Sequence, residues 1–311
     1  MKETANPPCS PFRKGGDTRR VLPFVKGRKR VFASVSQERQ ESMGRVICIS
    51  NQKGGVGKTT TTVNLSTALA LAEKLCLVVD FDPQGHATQG LRAILRSGRG
   101  SLWQAMNGKS SLQEAIVPTT LEFLHLLPST RELLKAEAEL PRMEAKEKRL
   151  SILLSDLRSA YDFILIDTPP AVGLLTVNGM VAADSLVIPL QAEFYSVIGL
   201  GQFLRFVAAL REHLHPDLRI EGLLLSMIRE RACCERMAGR IRGCTGQNVF
   251  RTVIPWIGEI LESSDSGKPL LLQDVKSISS RMYLELAREI MTRKEEAAPR
   301  REFEAAMACF G

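Results

Sequence analysis

Between Asn51 and Thr60 the chain reads Asn-Gln-Lys-Gly-Gly-Val-Gly-Lys-Thr-Thr, which packs three glycines, two lysines and two threonines into ten residues. Glycine lets a backbone turn tightly and aim successive N–H groups at one point, and such a nest binds an anion. A lysine beside the nest adds a full positive charge, and a threonine hydroxyl next to it is a ligand for Mg2+. Gly54, Gly55, Val56 and Gly57 would therefore wrap a polyphosphate such as that of ATP, and Lys58 would reach its β- and γ-phosphates. Thr59 would ligate Mg2+, and Thr60 would lie near the α-phosphate. A helix beginning at Thr59 would add its dipole and its free N–H groups. The strict spacing G-x-x-x-x-G-K-[ST] fails at one place, because Gln52 stands where its first glycine belongs. Beside that gap a second lysine, Lys53, precedes Lys58 by five residues.

Acids stand at two further strand ends. Leu77-Val-Val-Asp-Phe-Asp-Pro-Gln-Gly-His-Ala-Thr88 carries Asp80 and Asp82, and Phe163-Ile-Leu-Ile-Asp-Thr-Pro-Pro170 carries Asp167. A lone Asp after a strand is more often a turn former than a catalyst. In an α/β sheet, however, sites form at the carboxyl ends of parallel strands, where these acids would meet the glycine loop. Phosphoryl transfer asks a protein for positioned positive charge and an aligned water rather than covalent chemistry. Lys53, Lys58 and Mg2+ would supply the charge, with Asp167 holding the metal through water.

The elements that must hold these residues can be read from hydrophobic patterning. Strands are predicted at Val46–Asn51, Leu75–Asp80, Leu121–Leu127, Phe163–Asp167, Ser185–Gln191, Ile220–Met227 and Val249–Ile254. Several are unbroken runs of Val, Ile and Leu, as expected of a parallel sheet covered on both faces. Helices are predicted at Thr59–Glu73, Glu144–Ser159, Ser196–His213 and Ser277–Thr292. In the third, Val197, Leu200, Phe203, Leu204 and Val207 recur at helical spacing. The alternation predicts one doubly wound, mostly parallel α/β domain of Rossmann-like, phosphate-loop type over residues 45–292. Residues 293–311 read as a charged tail.

Composition sets the surroundings. Hydrophobic residues make up 44% and charged residues 24%, as in ordinary globular chains. No apolar run approaches the roughly 18 residues of a spanning helix. Val21–Val25 is too short for a secretory core, so a cytoplasmic protein is expected. The seven cysteines lack the paired spacing of a zinc site. Of the net charge of +8, residues 1–44 hold +6, from ten Lys or Arg against four acids. That segment, rich in Pro, Gly and Arg, has the composition of a disordered extension. It fits a nucleic-acid-binding arm, a transit peptide, or a stretch ahead of a true start at Met43.

The lysine pair resembles the deviant phosphate loop of the ParA/MinD ATPases, in which the first lysine reaches across a dimer to the partner's nucleotide. Asp80–Thr88 resembles that superfamily's D-x-D-P-Q-G-N-A-T, with His86 in place of Asn. By this resemblance Asp82 orients the attacking water, Asp80 supports the Mg2+ shell, and Met227 and Pro255 contribute to the base pocket. Leu175–Asn178, Ala182–Asp184, Ile188–Gln191, Glu193–Leu200, Phe250–Pro255 and Gly267–Pro269 all resemble segments of the ParA/Soj branch. The resemblance thus covers nearly everything after Met43. It implies a slow ATPase, catalytic through Lys53, Lys58 and Asp82, that forms an ATP-dependent homodimer. It further implies nonspecific DNA binding, a ParB-like partner, a role in chromosome or plasmid partition, and a place on the nucleoid.

Three departures bear on DNA. M-x-D-x-R becomes Met227-Ile-Arg-Glu-Arg231, keeping the DNA-contacting arginine at Arg231 but placing Arg229 where an acid stands. I-P-R-x-V-R becomes Ile254-Pro-Trp-Ile-Gly-Glu259 and loses both arginines. S-E-A-P-S has degenerated to Leu261-Glu-Ser-Ser-Asp265. Arg236, Arg240 and Arg242 offer substitutes. A MinD-like membrane switch, a relative that positions another cargo, and an ATP-binding regulator without hydrolysis are the alternatives. The C-terminal Arg300–Gly311 lacks the basic amphipathic character of a membrane-binding helix.

Overall fold

The computed structural model describes residues 43–96, 101–191, 194–229, 235–236, 238–239, 241, 249–256 and 266–293. The strands are β1 (Arg45–Ile49), β2 (Cys76–Asp80), β3 (Val117–Pro118), β4 (Leu124–Leu127), β5 (Phe163–Asp167), β6 (Ser185–Leu190), β7 (Arg219–Ile228) and β8 (Val249–Pro255). They form one eight-stranded sheet in the order β3-β4-β2-β5-β1-β6-β7-β8. Every pairing is parallel except β3 with β4. From β1 the chain goes outward to β2 on one side and later returns to build β6, β7 and β8 on the other. The order reverses around β1, and the carboxyl end of β1 opens onto a crevice of the kind that binds ligands in such sheets.

The larger helices are α1 (Lys58–Leu71), α2 (His86–Leu91), α3 (Arg149–Leu154), α4 (Leu174–Val181), α5 (Phe194–His213) and α6 (Ile278–Thr292). α1 and α6 share one hydrophobic cluster with a sheet face. Leu65, Ala68 and Leu69 of α1 lie there with Tyr283, Leu286 and Ile290 of α6 and with Ile47 and Ile49 of β1. Each Leu or Ile buried there contributes about 1.5–3 kcal/mol. α6 starts on a true cap, since the Ser277 hydroxyl accepts the Ser280 amide at 3.2 Å. α4 covers the opposite face, where a β-carbon on Gly179 would lie 2.7 Å from Thr168 Cγ2 and 3.6 Å from Cys48 Sγ. Glycine there lets the helix approach β1 and β5 closely. Of the stripe predicted for α5, Leu200, Phe203, Leu204 and Val207 are all buried, and the Val197 side chain lies outside those described.

The structure departs from the expected elements in several places, two of them instructive. The helix predicted over Glu144–Ser159 begins only at Arg149 and closes in a 3-10 turn at Ser155–Leu157. Ala145 sits at φ 50°, a left-handed conformation that cannot continue a helix. β3 was not expected, because two residues are too few to show a period. Among the described residues no helix is long and apolar enough to cross a membrane.

Candidate functional site

The glycine loop joins the carboxyl end of β1 to α1, at the reversal point of the sheet. Gly55 (φ 71°) and Gly57 (φ 88°) are both left-handed, and Gly57 is the residue from which α1 starts. A side chain at either would be strained. Asn51 shapes the entry to the loop: its Oδ1 accepts the Lys53 amide at 3.0 Å while its Nδ2 donates to Pro189 O at 2.7 Å. From below, the Ser226 hydroxyl donates to Val56 O at 2.6 Å. From the side, Gln191 Nε2 donates to Gly55 O at 2.9 Å.

Lys58 is buried, and its ammonium donates to the Lys53 carbonyl at 3.0 Å. Burial lowers its pKa from the usual lysine range, against the opposing charges of Asp167 and Asp82. A buried cation beside a glycine loop at a helix start is suited to bind an anion. Lys53 lies at the rim, with Nζ 3.4 Å from Gln191 Oε1.

Behind the loop the Thr59 hydroxyl donates to Asp167 Oδ2 at 2.8 Å, and the Thr62 hydroxyl to Oδ1 at 3.1 Å. Asp167 ends β5 directly opposite Asp80, which ends β2, and neither is exposed at all. Burial pushes the Asp167 carboxyl up to about 8, with the neighbouring Asp80 adding to the rise and the two threonine hydroxyls opposing it. Burial likewise pushes Asp80 up to about 6, against hydrogen bonds from Thr88. Two carboxylates in register inside a protein ionise together only with a cation nearby. A hydroxyl and carboxylates are the hard oxygen donors that Mg2+ prefers, so these residues fit it. Among the described residues no three His, Cys, Asp or Glu side chains make a self-contained metal site. Mg2+ ordinarily completes its shell with phosphate oxygens and water.

Asp82 is 5% exposed and begins the turn after β2, its Oδ1 accepting the Gln84 amide at 2.9 Å. A cleft of about 220 Å3 between α1 and α2 is lined by Thr59, Thr60, His86 and Gln89 among others. On the other side of the loop, a β-carbon on Gly57 would lie 3.6 Å from Met227 Cε, and Gln191 Nε2 is 3.3 Å from Met227 Sδ. Met227 itself sits at φ 55°. Pro255 pairs with Ile228 across β7 and β8, so Met227 and Pro255 edge the same end of the sheet. Next to them the Arg229 guanidinium stacks on Trp256 at 5.1 Å.

The structure thus gathers Lys53, Gly54–Thr60, Asp80, Asp82, Asp167 and Met227 around one loop. Arg231 and Glu259 lie outside the described residues. Gln191, Ser226, Thr62 and Thr88 were not singled out as site residues from the sequence. Gln191 had a signal as the end of Ile188–Gln191 and Thr88 as the end of Asp80–Thr88, and the other two are visible only through their contacts.

A buried lysine over left-handed glycines, at the start of a helix and against a Thr–Asp pair, is the architecture of a phosphate-loop α/β nucleotide-binding protein. Residues 44–220 match the protein family described as AAA domain. The chain is 43% identical to the chromosome partitioning protein ParA of Myxococcus xanthus, over 84% of this chain and 92% of that protein. It is 41% identical to the sporulation initiation inhibitor protein Soj of Bacillus subtilis, over 80% of this chain and 98% of the relative. A structure of cobyrinic acid a,c-diamide synthase from Mycobacterium smegmatis with bound ADP and magnesium superposes with a TM-score of 0.68 at 32% identity, covering 79% of this chain and 93% of that one. The chain belongs to the ParA/Soj family of partitioning ATPases.

Proposed function

We propose that this chain is an ATP-driven switch that binds Mg–ATP at residues 53–60 and pairs with a second copy across the bound nucleotides. In that state it holds DNA nonspecifically, and it is released when a ParB-like partner stimulates hydrolysis. The observation that carries the reading is the meeting of Lys58, Thr59 and Asp167 at one point on the carboxyl edge of the sheet. Residues 45–292 form the ATPase unit in this reading, with 1–44 a basic extension and 293–311 a tail.

Each residue has a task set by its place. Lys58 exchanges the Lys53 carbonyl for the β- and γ-phosphates, and the loop amides from Gly54 to Thr60 hold the phosphate oxygens. Thr59 and Asp167, with Asp80 in support, would hold Mg2+, which would supply positive charge against the phosphates. Asp82 accepts a hydrogen bond from the attacking water and aligns it with the γ-phosphate. Met227 and Pro255 flank the base. Lys53, at the rim, reaches the partner's nucleotide, so hydrolysis needs two copies and runs slowly. That timing suits a protein that must stay on DNA between encounters with its partner, on the nucleoid within the cytoplasm.

For DNA, Arg231 is the contact implied by the family, and the exposed Arg236 is a second cation on the same stretch. Asp82→Ala should lower turnover about 10²-fold or more while leaving nucleotide affinity nearly intact. Unchanged turnover would remove the hydrolytic mechanism. DNA binding at low salt, with and without ATP, tests the partition reading. It should be run on the full chain and on a chain starting at Met43. Binding that ignores ATP in both chains would refute it.

A further inference from the structure

The turn that carries Asp82 is fastened at its far end. Thr88, in the first turn of α2, makes three hydrogen bonds through two groups. Its hydroxyl donates to Asp80 Oδ2 at 2.6 Å, and its amide donates to the same oxygen at 2.7 Å. The hydroxyl oxygen in turn accepts the Ser129 amide at 3.1 Å. Ser129 belongs to the loop after β4, and it is 7% exposed. It also lies against the turn itself, since a β-carbon on Gly85 would sit 3.8 Å from Ser129 Cβ. Asp80 meanwhile accepts the Asp82 amide through its other oxygen at 3.4 Å. Phe81, between the two acids, donates its amide to Asp167 O at 3.0 Å. The segment from Asp80 to Thr88 is therefore closed into a loop, with one hydroxyl joining its two ends to the loop after β4.

We propose that Thr88 is a positioning residue that fixes Asp80 and, through it, the Asp82 turn, and ties both to the loop after β4. The inference rests on the proposed roles of Asp80 and Asp82. A hydroxyl is needed because one atom must both donate and accept: it donates to the carboxylate and takes the amide of Ser129. Valine has the same shape and can do neither, so it would leave the Ser129 amide without an acceptor and Asp80 with one donor fewer. Serine can do both. The network continues outward, as Thr130 beside Ser129 pairs its hydroxyl with Ser101 at 3.2 Å, and Ser101 reaches Glu132.

The test compares Thr88→Val and Thr88→Ser with the natural chain in three measurements. Calorimetric titration of Mg2+ in the presence of a non-hydrolysable ATP analogue should show at least tenfold weaker metal binding for Thr88→Val, with Thr88→Ser within about threefold of the natural chain. Steady-state hydrolysis should show kcat reduced tenfold or more in Thr88→Val with KM for ATP nearly unchanged. Amide exchange in the nucleotide-free chain should show strong protection at Ser129 that is lost in Thr88→Val and kept in Thr88→Ser. Equal Mg2+ affinity in all three chains overturns the proposal, as does a Thr88→Ser chain as impaired as Thr88→Val. If Thr88→Val fails to fold, an unprotected Ser129 amide in the natural chain still overturns it. A natural chain that binds no nucleotide refutes the proposed function instead, and amide exchange then judges the clamp alone.

Discussion

Replacing Ser226 with alanine takes away a hydroxyl that supports the phosphate loop from β7. That hydroxyl donates to Val56 O at 2.6 Å and is 3.2 Å from Leu190 O. Ser226 is 2% exposed and Val56 1%, so water cannot take over. Alanine leaves the Val56 carbonyl buried without its donor, and such a loss costs about 1–3 kcal/mol. Leu190 ends β6 beside β7 and holds the longer contact, so its share is small. Gln191 still restrains Gly55 O at 2.9 Å, which keeps the loop from collapsing altogether. The expected total is about 2 kcal/mol. Where it appears depends on the loop: if the loop keeps its shape, the loss is in global stability. If the loop relaxes, it is in nucleotide affinity, at tenfold per roughly 1.4 kcal/mol. Urea unfolding and calorimetric nucleotide binding, measured on the same preparation, capture both. Pairing the change with Gln191→Ala should give a coupling energy of about 0.5 kcal/mol or more, because both side chains hold adjacent carbonyls of one loop. If stability and affinity both stay within about 0.3 kcal/mol of the natural chain, Ser226 does not support the loop and the reasoning fails.

Other consequences can be checked with simple assays. Lys53→Ala should retain ATP binding but lose ATP-dependent dimerisation and most turnover, and a monomer that hydrolyses at the natural rate would exclude action across a dimer. Of the two tryptophans, Trp103 is 3% exposed and Trp256 39%. Adding Mg–ATP should change tryptophan emission, and Trp256→Phe should remove that change, because Trp256 follows Pro255 at the proposed base pocket. Burial, with the charge of Arg96 second, lowers the pKa of His125 to about 4. Its neutral ring meets the Tyr161 hydroxyl at 2.8 Å. The unfolded chain takes up a proton near pH 6.5 and the folded one does not, so this stability is present above pH 6.5 and is lost as pH falls towards 4. The ring is partly exposed, so the loss is about 1–3 kcal/mol. Urea midpoints at pH 7 and pH 5 should therefore differ less in His125→Gln than in the natural chain, and equal differences would count against the neutral ring.

What the sequence revealed follows from how far apart the interacting groups lie. The loop Asn51–Thr60 was legible because its glycines, lysines and threonines act within ten residues. The acids were legible because parallel strands end on one edge, and the register that sets Asp80 opposite Asp167 is added by the structure. Gln191 and Ser226 act on loop carbonyls 136 and 170 residues away, and no local pattern encodes such a contact. Thr88 stood inside a recognised motif, yet its bond to the Ser129 amide depends on how β4 lies beside β2. The late start of α3 turns on one left-handed residue, Ala145, whose side chain gives no warning of it.

The same geometry sets different constraints on the proposed nucleotide site and on the exposed ends of β7 and β8. The site is assembled from β1, β2, β5, β6 and β7, and its Lys58, Asp80, Asp82, Asp167 and Ser226 side chains are buried and hydrogen-bonded. Changing one of them leaves a partner unsatisfied, at a cost of about 1–3 kcal/mol each time. Arg229 and Trp256 carry no such obligation: they sit exposed at the ends of β7 and β8, and their mutual contact is a stacking at 5.1 Å. An exposed cation–π pair is worth only about 0.5–1 kcal/mol, so either residue can be exchanged without disturbing the fold. Affinity for DNA is a sum over phosphate contacts and tolerates gains and losses singly. Hydrolysis and DNA affinity can thus diverge independently within one family.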